Sequence, residues 1–380
     1  MTASHQHRVP AWIRVIANRL PPSIREPLRR WWYRRAAAQS AGPATPASDT
    51  DYAARAAAEI GIFEQQVEVH DLPPIFHYWS NTWLRPAIEA FGFSNPDDFF
   101  ALHLARAHAD AAVAGKRARF VSIGCGNCDT EVRVARLLVD RGIEDFTIEC
   151  IDINPAMLQR GRMLAAEAGV ADRIHTVTGD FNVWRPAGCY DAVMANQSLH
   201  HVVNLEGLFD AVRAALGPHG RFVTSDMIGR NGHQRWPEAL ALVREYWNEL
   251  PAHYRRNVQL QRNEETFLDW DCSGGGFEGI RAQDILPLLL GCFRFEFFFA
   301  FGNLIDPFID RGFGPHFDAD AAWDRDFIDR VHLRDEAELR AGRITPTHMF
   351  AVLRAASWTG ACTHRDGLPP ERCVRVAQPA

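Results

Sequence analysis

An apolar run that ends in a glycine turn, followed one helix and one strand later by a carboxylate, restricts this chain more than any other feature. Phe120–Ile123 reads as a strand, and Gly124 and Gly126 form the turn. A second apolar run ends on Asp152, 26 residues beyond Gly126, and Asn154-Pro155 opens the next helix. Parallel strands joined by a helix bring the glycines and the acid to the same sheet edge. There the glycines let backbone N–H groups approach a ligand, and the carboxylate can hold two ribose hydroxyls.

The alternation continues beyond this unit. Apolar runs at 119–123, 146–151, 174–178, 191–195 and 220–225 read as strands, with helical patterns at 129–141, 155–168 and 205–216 between them. Asp129 or Thr130 is expected to cap the first helix, Asn154 the second, and Gly169 to end the second. Two more strand patterns follow, Phe293–Phe301 and Thr347–Leu353. The expected fold is α/β, a doubly wound, Rossmann-like, mostly parallel seven-stranded sheet with an antiparallel final strand. Residues 51–116 are expected to form a helical cap, 117–358 the ligand-binding domain with insertions at 229–285 and 302–345, and 359–380 a disordered tail.

The first 50 residues stand apart. Residues 1–40 carry eight arginines against one acid, Glu26, while the whole chain has a net charge of −6. A basic segment with Trp12, Trp31, Trp32 and Tyr33 suits peripheral contact with an anionic membrane surface; a solvated tail docking on the domain, or an organellar transit peptide, reads as well. Residues 39–50 are a small-residue linker. Nothing in the charge calls for nucleic acid. No apolar stretch approaches the length of a membrane span, and the eight cysteines at irregular spacing suit reduced thiols, so a cytoplasmic location is expected, at most peripheral to the inner membrane surface.

The ligand is narrowed by what surrounds the turn. A dinucleotide site wants a third glycine where this chain has Asp129, an acid that would face the pyrophosphate. S-adenosylmethionine (SAM), a sulfonium without phosphate, meets no such conflict. Asp180-Phe181 follows the third strand pattern, where the acid can accept from an adenine amino group and the ring can pack on the base. The strand from Tyr190 ends in Asn196-Gln-Ser-Leu-His200-His201, and either histidine can serve as a general base or simply pack. Asp226, Arg230, Asn231 and His233 follow strand five and either grip a polar acceptor or form a capped loop. Aromatics near 76–83, Tyr78 and Trp79 among them, are expected beside that acceptor. Cys125 and Cys128 lack a second ligand pair at zinc spacing, and Asp226 with His233 names no full ligand set, so no metal is expected.

Taken together, Gly124-Cys-Gly126, Asp152 with Asn154-Pro155, Gly179-Asp180, Tyr190-Asp191, Leu199-His-His201 and Leu216-Gly-Pro-His-Gly220 stand in the order of the class I SAM-dependent methyltransferases. The chain resembles their small-molecule branch over 119–226, and more loosely to 353. The resemblance implies SAM as cofactor. It implies Gly124, Cys125 and Gly126 along the methionine part, Asp152 and Ile153 at the ribose, Asp180 and Phe181 at the adenine, and Asn196 near the methionine or the acceptor. Cys128 departs from the family's third glycine. Residues 75–83 and 197–202 further resemble bacterial methyltransferases of surface-glycan assembly, which implies a small-molecule or glycan acceptor. An NAD(P) oxidoreductase and a non-catalytic SAM-binding assembly protein are the competing readings.

Overall fold

In the computed structural model, the described residues are Pro21, Ile24, Pro27, Leu28, Trp31–Tyr33, 49–65, 71–274 and 276–375. Five strands run parallel: β1 (Ala118–Ile123), β2 (Phe146–Asp152), β3 (Ile174–Thr178), β4 (Tyr190–Asn196) and β5 (Leu216–Met227). β6 (Arg256–Asn257) and β7 (Arg262–Asn263) pair apart from this sheet; β8 (Arg294–Phe301), β9 (His348–Arg354) and β10 (Thr363–His364) complete it, and β9 lies antiparallel between β5 and β8. The order across the sheet is β10-β8-β9-β5-β4-β1-β2-β3. The chain reverses its direction of winding between β1 and β4, and such a switch point leaves a crevice at the strands' carboxyl ends.

Alternation of side chains along each strand supplies both faces. Phe120 joins one buried cluster while Val121 and Ile123 join the other. The first face is covered by α4 (Pro96–Val113), α5 (Asp129–Asp140) and α6 (Pro155–Glu167); the second by α7 (Leu205–Ala215) and α9 (Ala282–Cys292). α6 starts as expected, with Asn154 Oδ1 accepting from the Ala156 and Met157 amides. α5 does not: Cys128, in the left-handed region at φ 58°, precedes it and no side chain caps it. Instead Glu131 in its first turn is buried and accepts from Ser122 Oγ at 2.6 Å.

Three expectations need revision. Residues 51–116 do not form one cap. α4 is a core helix of the sheet, because Phe99, Phe100 and Leu104 pack beneath Phe297 and Phe350, whereas α1 (Asp49–Gln65) lies over the ligand edge. The tail is not disordered through 375. Leu368 and Cys373 are buried, and β10 (Thr363–His364) pairs parallel with β8 as an eighth strand. Too few apolar residues mark that segment for a strand to be read from the sequence. Finally, the two insertions are not separate. α2 (Pro74–Trp79), α8 (Pro237–Glu249), α10 (Asp306–Ile309) and α11 (Ala322–Ala341) share one apolar core around Trp247, Phe308 and Phe327.

The basic segment falls mostly outside the described residues. Within it, Tyr33 is buried on the α7–α9 face with Trp32 against it. Among the described residues no helix is long and apolar enough to cross a membrane.

Candidate active site

The turn after β1 is held by its neighbour strand. The Gly124 and Cys125 amides donate to Ile151 O at 2.9 and 3.2 Å. Gly126 N donates to Asp152 Oδ2 at 2.9 Å, and Asn154 N to Oδ1 at 2.8 Å. Each carboxylate oxygen of Asp152 keeps a lone pair for a further donor. Burial pushes the Asp152 carboxyl upward against those two amide bonds. Gly124 has φ +68°, and a Cβ there would lie 2.6 Å from Ser198 Cβ and 3.6 Å from the Phe181 ring. The cradle therefore requires glycine on both backbone and steric grounds. Cys128 fits at the usual third-glycine position because α6 presents Gly161, where a Cβ would meet the Cys128 thiol at 2.7 Å. The sulfurs of Cys125, Cys128 and Cys150 gather behind the turn, within 4.8 Å of one another.

The adenine-side residues are drawn together by α1. Tyr52 donates its hydroxyl to Asp180 Oδ2 at 2.6 Å, while Asp180 Oδ1 accepts from the Asn182 amide at 2.8 Å. Burial, and then the Asp180 carboxylate, push the Tyr52 phenol up. Asn154 Nδ2 reaches Ile60 O at 3.3 Å. Ile153, Tyr52 and Val203 pack around Ala56, Phe277 and Ile280, so an apolar cover stands at this end of the edge.

Beyond β4 the site becomes a cluster of imidazoles and carboxylates. His200 is buried, with Nδ1 2.7 Å from Asp226 Oδ1 and Nε2 3.4 Å from Glu278 Oε1. His201 Nδ1 lies 2.8 Å from Glu59 Oε1, and its Nε2 3.4 Å from Glu278 Oε2. His233 Nε2 lies 2.5 Å from Glu278 Oε1. Burial alone would lower His200, but Asp226 and Glu278 outweigh it and raise it to about 10. Burial pushes His233 down, with Glu278 opposing. Partial burial works against the Glu278 charge, yet hydrogen bonds to His200 and His233 hold its carboxyl well below the usual range.

Asp226 is not available to an acceptor, contrary to the sequence reading. It is fully buried: Oδ2 accepts from the Ser198 and Leu199 amides and Oδ1 from the Met227 amide, besides meeting His200. It positions the turn that carries His200. Asn231 is likewise engaged, exchanging backbone and side-chain hydrogen bonds with Gln283. Arg230 donates to Arg235 O and sits 5.5 Å over the Trp236 ring. Asn196 donates to Thr130 Oγ1 at 3.0 Å, behind the turn. Tyr78 and Trp79 face α11 instead of the histidines, bonding to Asp329 and His332. A cavity of about 430 Å³ opens there, lined by Trp79, Trp83, Phe301, His332 and Asp335. The described glycine turn and histidine cluster line none of it, so cavity volume is a poor guide to the chemistry of this molecule.

Sequence reasoning missed Glu278, Glu59 and Tyr52. Glu59 meets His201 across 142 residues, and no local motif announces such a pairing.

Residues 120–220 match the family described as a methyltransferase domain. A curated relative, the 27-O-demethylrifamycin SV methyltransferase of Amycolatopsis mediterranei (strain S699), is 26% identical over 180 residues, 43% of this chain and 64% of that protein. The chain thus spans somewhat under two thirds of that relative's length. Among solved structures, a putative sarcosine dimethylglycine methyltransferase from Galdieria sulphuraria is 14% identical and covers 71% of this chain and 97% of its own, with a TM-score of 0.38. The glycopeptide N-methyltransferase MtfA, solved with SAM, is 21% identical over 35% of this chain and 58% of its own, with a TM-score of 0.26. At those scores the assignment of fold rests on the strand order of this chain's own sheet.

Proposed function

We propose that this chain is a class I, SAM-dependent methyltransferase, a reading supported by the match of residues 120–220 to a methyltransferase domain, and that it transfers a methyl group from SAM to a hydroxyl oxygen of a small polar acceptor. The observation that carries the reading is one continuous edge, with the Gly124–Gly126 cradle and Asp152 at one end and the His200–His201–Glu278 cluster at the other. Asp152, with a lone pair left on each oxygen, holds the ribose. Asp180 and Phe181 hold the adenine, with Tyr52 fixing the carboxylate. Bound SAM supplies an electrophilic methyl on a sulfonium.

The acceptor oxygen forms a bond to the methyl carbon while the carbon–sulfur bond breaks, and the sulfur leaves as a neutral thioether. The chain's contribution is alignment and exclusion of water, to which effective molarities assign a large part of such rate enhancements. The acceptor's proton must also go somewhere. Asp226 and Glu278 both draw a proton toward His200. Proton handling therefore belongs to the cluster as a unit rather than to His200 alone. A hydroxylated acceptor, a sugar among the candidates, is favoured by this polar face over an apolar one.

Asp129 in the first turn of α5 speaks against a pyrophosphate there, and hence against NAD(P). The test is calorimetric titration with SAM and S-adenosylhomocysteine. Micromolar binding by the wild type, lost or weakened at least tenfold in Asp152→Ala, is expected. A folded protein that binds neither ligand would sink the reading. Binding would then justify a screen of hydroxylated acceptors with methyl-labelled SAM.

A further inference from the structure

Three imidazoles turn their Nε2 atoms toward a single carboxylate. The Nε2–Oε distances from Glu278 are 3.4 Å to His200, 3.4 Å to His201 and 2.5 Å to His233. We propose that His200, His201 and Glu278, whose donor atoms lie within 4.8 Å of one another, bind a divalent first-row transition-metal ion at the acceptor face, with His233 bonded to the same carboxylate from outside. Nitrogen and oxygen donors around such an ion stand at about 2.0–2.1 Å, which in tetrahedral geometry sets neighbouring donors about 3.4 Å apart. Two of the three distances already have that value. The third is a direct hydrogen bond between His233 and Glu278, which orients the carboxylate toward the other two rings.

The surroundings are those of ligands, not of an incidental ion-pair knot. A metal-binding histidine characteristically gives its other ring N–H to a carboxylate, which fixes the tautomer and turns the lone pair inward. His200 does this with Asp226 at 2.7 Å, and His201 with Glu59 at 2.8 Å. Asp226 is itself fixed by three backbone amides.

The two loops that bring in Glu278 and its partner His233 are built for close approach. Gly232 and His233 both have positive φ, 63° and 54°. A Cβ on Gly232 would lie 1.9 Å from Asp271 Oδ1, and one on Gly279 would lie 3.2 Å from His233 Cε1. The Gly232 amide donates to Gly279 O at 2.9 Å, locking the loops. A histidine held in the left-handed region costs free energy, and such positions cluster at functional sites. The Glu278 side chain is 42% exposed, which leaves the cluster a path to solvent.

A catalytic role for this ion rests on the methyl-transfer reading; the binding site itself does not. In that role, a hydroxyl of the acceptor joins the coordination sphere and becomes more acidic. Its proton leaves to solvent, and the oxygen then bonds to the methyl carbon as the carbon–sulfur bond breaks.

The test uses the full chain, stripped with a chelator and titrated with Co²⁺ by visible absorption and with Zn²⁺ by calorimetry. One equivalent is expected to bind, with d–d bands of a low-symmetry nitrogen–oxygen site. Glu278→Gln and His201→Ala are each expected to weaken it by at least tenfold. Glu59→Gln, one shell further out, is expected to weaken it about tenfold, within the range for outer-shell partners. Failure of the folded wild type to bind, or binding that Glu278→Gln and His201→Ala leave unchanged, overturns the site. SAM titration of the same samples separates the two ideas: Co²⁺ bound without SAM leaves the site and removes the methyltransferase reading. SAM bound without Co²⁺ does the reverse.

Discussion

At the scale of single residues, the cofactor turn is a set of exchanged volumes. Cys128 takes a place where a glycine is customary, and Gly161 on the facing helix gives the space back. The sequence shows both residues but not that they face each other. Glu131 is a comparable case. It is buried behind the turn and its carboxyl is pushed up to about 8, mainly by burial and then by the neighbouring Cys128 thiol, with Ser122 acting in the opposite direction. The unfolded chain releases this proton near the ordinary carboxyl range, while the folded chain keeps it to about pH 8. The folded state then binds more protons, so stability falls as pH rises across that window, by at most roughly 1.4 kcal/mol per pH unit for one group. Glu131→Gln retains the Ser122 hydrogen bond without the titration. Its unfolding free energy is expected to be flatter between pH 5 and 8 than that of the wild type, and larger at pH 8. Denaturant titrations at several pH values check this; parallel curves for the two proteins would refute it.

At the scale of elements, strands and their connecting helices were legible because their signals are local. The apolar runs marked each central strand to within a few residues, and Asn154 marked the start of α6 correctly. β5 was the exception, because Leu216 already pairs with Tyr190 and the glycine-rich 217–220, which reads as a loop, bulges before pairing resumes at Arg221. Placement of helices over the sheet was not legible, since it depends on which distant partner each face meets. α1 shows the difference. Its alanine-rich pattern predicts a helix, but its function lies in Tyr52 on Asp180, Glu59 on His201 and Ile60 O on Asn154. Among its described side chains only Ala56 is buried. Removing residues 1–66 also takes the buried Tyr33 out of the core, and is expected to lower the melting temperature by roughly 5–10 °C with the sheet still folded. SAM affinity is expected to fall at least tenfold, about 1.4 kcal/mol. Calorimetric scanning and titration of the shortened chain test both halves. Unaltered SAM binding would show that the helix is only a neighbour of the site.

At the scale of the whole molecule, two architectures are joined. One is the sheet with its two helical layers. The other is the satellite core of α2, α8, α10 and α11, assembled from segments far apart in sequence. Reading the sequence as a domain with two insertions located those segments but could not show that they meet, because Trp247 and Phe327 carry no mark of each other. The same scale decides the fate of the sheet's last edge. β8, with Phe295, Phe297, Phe298, Phe299 and Phe301, would be an outer strand if the chain stopped at β9. Thr363 and His364 pair with Phe297 and Phe298 and shield its middle. A chain ending at residue 358 is expected to form oligomers or precipitate at concentrations where the full chain stays monodisperse by light scattering. Equal behaviour of the two would show that the edge needs no such guard. An unpaired, aromatic-rich strand edge is a template for any other extended chain. The two-residue strand thus occupies the stretch of edge at which a neighbouring copy would otherwise add.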